Sequence, residues 1–201
     1  MQTNINIFFL LLFIPLSIDL LSENIEEIVV KGDWRESSIL EEDSSIVILN
    51  SKILDSQPIK HFENLSYLVP NLNFAASDSR ARHFQIRGIG ERSGYERTPN
   101  SAVGFIIDDI DYSGQGGIAT TFDVDQIEVH RGPQGSRIGS NALAGLIYVQ
   151  TKEPTDEFEG TSEITYGDFG TLSTGIAFGG PLKSNNNLTY RFALRKDYSD
   201  G

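Results

Sequence analysis

"DQIEVHRGPQGSRIGSNALAGLIYVQTKEP" occupies residues 125–154. Ile127 and Val129 alternate with Glu128 and His130, the period of a β-strand whose two faces meet different surroundings. Gly132, Pro133 and Gly135 then supply a turn, and a second β-prone run, "LIYVQT", follows at 146–151. Glu128 and Arg131, three residues apart, stand beside that turn. A catalytic pair, a phosphate loop and a structural clamp all use such residues, and the rest of the chain decides among them.

Composition removes several classes. With 28 Asp and Glu against 16 Lys and Arg, the 201-residue chain has the wrong sign for phosphate backbones, so no nucleic-acid partner is expected. The absence of cysteine excludes thiol catalysis, disulfides and cysteine-ligated metals. His61, His83 and His130 are scattered without metal-ligand spacing, and "DDIDY" (108–112) lacks a calcium-loop pattern and reads as a polar strand end. "RGIGERSG" spaces Gly88, Gly90 and Gly94 one residue too widely for a dinucleotide fingerprint, and "GPQGSRIGSNALAG" lacks the G-K-[ST] ending of a phosphate loop. No serine lies in a nucleophile elbow. Neither an enzyme nor a cofactor or metal is expected.

The N-terminus, "MQTNINIFFLLLFIPLSIDLLSEN", is apolar from Ile7 to Ile18 apart from Ser17, and is broken by Pro15. That is too short to cross a bilayer as a helix and suits an export signal over 1–22, a buried helix being the alternative. "SSIVILN" (44–50) reads as a strand, "SKILDSQ" as a helix capped by Ser51, and "IKHFENLSYLVPNL" as a second helix ended by Pro70. Strands at 84–90, 102–110, 126–132 and 146–151, separated by the polar loops 76–82, 91–101 and 113–121, complete a small mixed α+β domain. After Pro154 the texture changes. Segments 158–166, 171–179 and 188–198 alternate with period two, as in Leu188, Tyr190, Phe192 and Leu194 against Thr189, Arg191, Ala193 and Arg195. Transmembrane β-strands and a soluble meander with one wet face both have this alternation.

The order of these elements resembles the N-terminal part of a TonB-dependent outer-membrane receptor. The matching stretches are "IEEIVVKG" (25–32), "LSYLVPNLNF" (65–74), "FQIRGIG" (84–90), "VGFIIDDI" (103–110) and residues 125–154. Asp109 and Ala144 stand where that family usually has glycine, a difference in local turn geometry. The resemblance implies a signal peptide at 1–22, a TonB box in 23–32, an α+β plug domain at 33–155, and at 156–201 the first three antiparallel strands of an incomplete transmembrane β-barrel. Barrels of this kind have about 22 strands around a plugged lumen, so the chain as given is expected not to transport. The implied function is active import across the outer membrane of a Gram-negative bacterium. The ligand would be a ferric siderophore or another bulky, scarce nutrient, and the inner-membrane proton gradient would drive import through TonB. The alternative is a soluble periplasmic binding module with a plug fold and no barrel.

Residue by residue, the resemblance places the TonB box at Glu26, Glu27, Ile28, Val29, Val30 and Lys31. Its partner would be the periplasmic C-terminal domain of TonB, which would pair with it by strand addition. Arg87, Glu128 and Arg131 would form a clamp between plug and barrel, and outer-membrane lipid would meet the apolar face of the strands. Arg80, Arg82, Arg92, Tyr95 and Arg97, in the polar loops, would contact an anionic ligand.

Overall fold

A computed structural model of the chain describes residues 28–31, 37–40, 44–57, 59–76, 80–92, 100–182 and 188–200. The expected signal at 1–22, and with it Glu26, Glu27, Tyr95 and Arg97, lies outside the described residues. In chain order the strands are β1 (Val29–Val30), β2 (Ser37–Ser38), β3 (Ile46–Asn50), β4 (Leu72–Ala75), β5 (His83–Ile86), β6 (Val103–Ile107), β7 (Ile110–Asp111), β8 (Val124–His130), β9 (Gly145–Thr151), β10 (Glu159–Tyr166), β11 (Leu172–Pro181) and β12 (Thr189–Tyr198). Two short helices, α1 (Ser51–Ser56) and α2 (Gly135–Ile138), lie among them.

The central sheet has the order β3-β8-β9-β6-β7. Its pairs are antiparallel except β6 with β9, which run parallel. The alternation in β8 sends Ile127 and Val129 into the main core with Leu49, Phe105, Ile147 and Val149. Leu54 of α1 and Phe62 and Leu65 of a 3-10 turn (Phe62–Tyr67) close over that face. Phe105 is gripped by two rings, Phe62 edge-on at 5.0 Å and Phe84 stacked at 5.8 Å, a favoured geometry for aromatic pairs. β4 and β5 form a separate antiparallel pair.

Several local expectations are corrected. The cap of α1 is Asn50 rather than Ser51: Asn50 ends β3 in extended conformation, and its Oδ1 accepts from the Ile53 amide at 3.1 Å. The second expected helix is the six-residue 3-10 turn. The strand expected at 84–90 stops at Ile86, because Arg87 and Gly88 turn left-handed at φ +54° and +80°. The strand expected across 102–110 breaks at Asp108 and Asp109, with φ +46° and +66°. Two consecutive positive φ values are the signature of a tight hairpin turn whose twist matches its strands, and they fold β7 back onto β6.

Residues after Pro154 form a second, three-stranded antiparallel sheet, β10-β11-β12. Its register aligns the alternating side chains into rows: Ser162–Ile176–Leu194, Tyr166–Leu172–Tyr198 and Phe178–Phe192. One face carries exposed Ile164, Tyr166, Leu172, Ile176, Phe192, Leu194 and Tyr198. The other carries buried Ser173 and Ala177 and the charged Glu163, Arg191, Arg195 and Asp197.

Candidate functional site

The face of β8 opposite the main core is polar, because Gln126, Glu128 and His130 share it by period two. Across this face lies the segment Val29–Lys31, whose Val30 is fully buried. Gln126 Nε2 donates to the Val29 carbonyl at 2.9 Å, and the Lys31 amide donates to Glu128 Oε1 at 2.6 Å. Gln126 Nε2 also reaches Glu128 Oε1 at 2.8 Å, and His130 Nε2 lies 2.9 Å from Glu128 Oε2. Lys31 Nζ stands 3.8 Å from Asp125. Burial alone would push the Glu128 carboxyl upward. The hydrogen bonds from His130, the Lys31 amide and Gln126 outweigh it and hold the group below the ordinary carboxylate range.

This placement separates the three residues of the expected clamp. Residues three apart on a strand point to opposite faces, so Glu128 goes under the N-terminal segment while Arg131 does not. Glu128 is wholly buried within the domain. Arg131 Nη1 instead reaches the Pro70 carbonyl at 3.4 Å, and Arg87 is exposed beyond the end of β5. Among the described residues, neither arginine meets a carboxylate of β10–β12.

A different ionic contact joins the two sheets. Asp123, just before β8, receives Arg191 of β12 at both oxygens, Nε at 2.7 Å and Nη2 at 2.5 Å. The side chains are only 12% and 7% exposed, so the pair is bidentate and largely dry. Beside it, the Phe122 ring lies over Gly175 of β11, where an added Cβ would come within 2.7 Å of the ring. Arg195, the register partner of Gly175 on β12, lies over the Phe122 ring, 5.8 Å from its centroid. Its Nε donates to Asp197 at 3.0 Å, and its Nη1 is 3.6 Å from Glu163. Sequence reasoning missed Asp123 and Phe122. The available signal was that Arg191 and Arg195 occupy the polar positions of an otherwise apolar alternating strand.

Of the expected ligand-contact arginines, Arg80, Arg82 and Arg92 are among the described residues. Arg82 and Arg92 are exposed, and Arg80 is half-buried. Burial, and then the Arg80 charge, keeps His61 below the usual histidine range. The acids of "DDIDY" are engaged locally. Asp108 accepts from the Thr151 amide at 2.9 Å and Asp109 from the Tyr148 hydroxyl at 3.1 Å, while Asp111 accepts from the Ser113 amide at 2.8 Å and from Asn141. Burial and the Asp109 contact push the Tyr148 hydroxyl up to about 12.

The family profile described as TonB-dependent Receptor Plug Domain matches residues 38–146, more than half of the chain. The chain belongs to the TonB-dependent receptor plug-domain family. Among curated proteins it is similar to the ferripyoverdine receptor of Pseudomonas aeruginosa, 23% identical over 148 residues that cover 73% of this chain and 18% of that protein. It is also similar to the ferric enterobactin receptor PirA of the same species, 24% identical over 81% of this chain and 25% of the relative. In fold it resembles the pyoverdine outer-membrane receptor of P. aeruginosa solved with pyoverdine, with a TM-score of 0.68 at 21% identity over 82% of this chain and 23% of that one. The alcaligin outer-membrane receptor of Bordetella pertussis gives 0.67 at 17% identity, over 83% and 28%. The chain thus spans a quarter or less of the curated relatives. Like other chains with this plug, it resides in the outer membrane of a Gram-negative bacterium.

Proposed function

We propose that these 201 residues are the plug and opening barrel strands of a TonB-dependent transporter that imports a ferric siderophore. Residues 1–22 serve as the export signal, 23–32 carry the coupling segment, 33–155 form the plug and 156–201 begin the barrel. The observation that carries this reading is the second sheet. It follows the plug directly, presents an apolar face outward and ties its charged face to the plug through Asp123 and Arg191. A soluble module has no use for such an outward face, whereas a strand between lipid and lumen requires it. Ferric chelates are the favoured cargo because two similar receptors are named for them. Arg80, Arg82, Arg92, Tyr95 and Arg97 are the proposed ligand contacts.

The test is iron uptake by a receptor that carries these residues, expressed in an iron-starved Gram-negative host stripped of its own siderophore receptors. Radiolabelled ferripyoverdine and ferric enterobactin are the probes, with cobalamin as the comparison. Accumulation of a ferric chelate that stops when the proton gradient is collapsed is the expected result. Recovery of the protein in the soluble periplasmic fraction, with no uptake of any probe, would contradict it.

A further inference from the structure

Glu63 belongs to the 3-10 turn whose Phe62 and Leu65 are fully buried, so the core fixes its backbone. Its Oε2 accepts from the amide of Ala81 at 3.1 Å, 18 positions along the chain. A carboxylate acceptor makes a stronger bond to such an amide than a neutral one does. Ala81 is itself only 1% exposed. A second restraint comes from another short 3-10 turn, Gly116–Ile118. A Cβ added to Gly117 would stand 2.2 Å from the Ala81 carbonyl oxygen and 3.0 Å from the Phe84 ring, so only glycine leaves this close approach unstrained. Ala81 is bonded at its amide and walled in at its carbonyl.

The neighbours of this fixed residue are Arg80 and Arg82. Arg82 stands exposed, while Arg80 is half-buried, and its Nη1 is buried with no hydrogen-bond partner among the described residues. A buried donor in that condition is costly until an acceptor reaches it. We infer that Glu63 and Gly117 are positioning residues for cargo recognition. By fixing Ala81 they set the two places from which the flanking guanidinium groups reach an anionic cargo. This rests on the proposed reading of Arg80 and Arg82 as ligand contacts. The gain is in affinity, because a segment ordered beforehand loses less freedom when the cargo binds. Neither Glu63 nor Gly117 has to touch the cargo; both act through the backbone of Ala81.

Amide hydrogen exchange of the full chain in detergent micelles, read by NMR, reports the bond itself. Glu63→Ala is expected to accelerate exchange at Ala81 about tenfold and to leave the fully buried Ile147 of β9 unchanged. Glu63→Gln, whose carboxamide oxygen still accepts, should restore most of the protection. Should Glu63→Ala also speed exchange at Ile147, the sheet has loosened, and Glu63→Asp, one methylene shorter, decides alone. Uptake by a receptor that carries these residues supplies the second readout, with ferripyoverdine and ferric enterobactin as the probes. Glu63→Ala and Gly117→Ala are each expected to raise the half-saturating concentration about fivefold, with the maximal rate held within about twofold. Glu63→Gln should bring half-saturation back. Unchanged exchange at Ala81 would overturn the inference. So would faster exchange with unaltered half-saturation, where Arg80→Ala and Arg82→Ala do raise it. If neither probe is taken up, or neither arginine variant alters half-saturation, the proposed ligand contacts fall and the positioning role falls with them.

Discussion

Asp123 and Arg191 lie 68 residues apart in sequence and meet as a bidentate pair in the seam between the two sheets. Because both side chains are nearly dry, loss of one strands the other, and such a loss costs about 3–5 kcal/mol. Asp123→Ala and Arg191→Ala are each expected to lower stability by that amount in urea unfolding of the micelle-bound chain. The double variant should fall well short of the sum, since each single change already breaks the pair; additive losses would show that the contact contributes little. The alternation of β12 marks Arg191 as a polar-face residue, but nothing in the sequence marks its partner, since Asp123 falls in a polar connection. Glu128 was visible as an unusual residue in a buried strand, but its partners are a backbone amide 97 positions away and two neighbours on its own face. Charge complementarity suggests Arg131. Strand geometry forbids it.

The strands after Pro154 were the most legible elements, because period two persists through nearly all of each and the register then stacks like on like. The plug strands were legible in position and less so in extent. Their ends are set by left-handed residues such as Arg87, Asp108 and Asp109, where neither arginine nor aspartate advertises a turn as glycine does. The helix expected after Ile59 shortened to a 3-10 turn because Phe62 and Leu65 sink into the core while Tyr67 remains exposed. Alternation alone left lipid and water equally good for the outer face of β10–β12, and charge can separate them. Ile176→Arg and Leu194→Arg, at neighbouring positions of that face, are expected to destabilise the sheet by about 2–4 kcal/mol each in lipid bilayers if they lie near the midplane. Unfolding titrations in liposomes measure this. A face that normally meets water would tolerate either change within about 0.5 kcal/mol.

At the level of the whole molecule, one sheet carries the plug core on one side and the N-terminal segment on the other, while a second sheet turns an apolar face away from it. The strand β8 links all three: Ile127 and Val129 fill the core, Gln126 and Glu128 hold the segment, and Asp123 just ahead of it ties down β12. Under the proposed function, a pull on the segment would reach the strand that anchors both the core and the seam. This is the arrangement an energy-coupled plug needs, and it makes the segment at 25–31 the point on which the functional account turns. The most direct measurement is a calorimetric titration of the chain with the periplasmic C-terminal domain of TonB, beside a Val29→Pro variant that lacks the backbone donor needed for an added strand. The account predicts binding by the parent and its loss in the proline variant. Equal binding by both, or none by a folded parent, would contradict it.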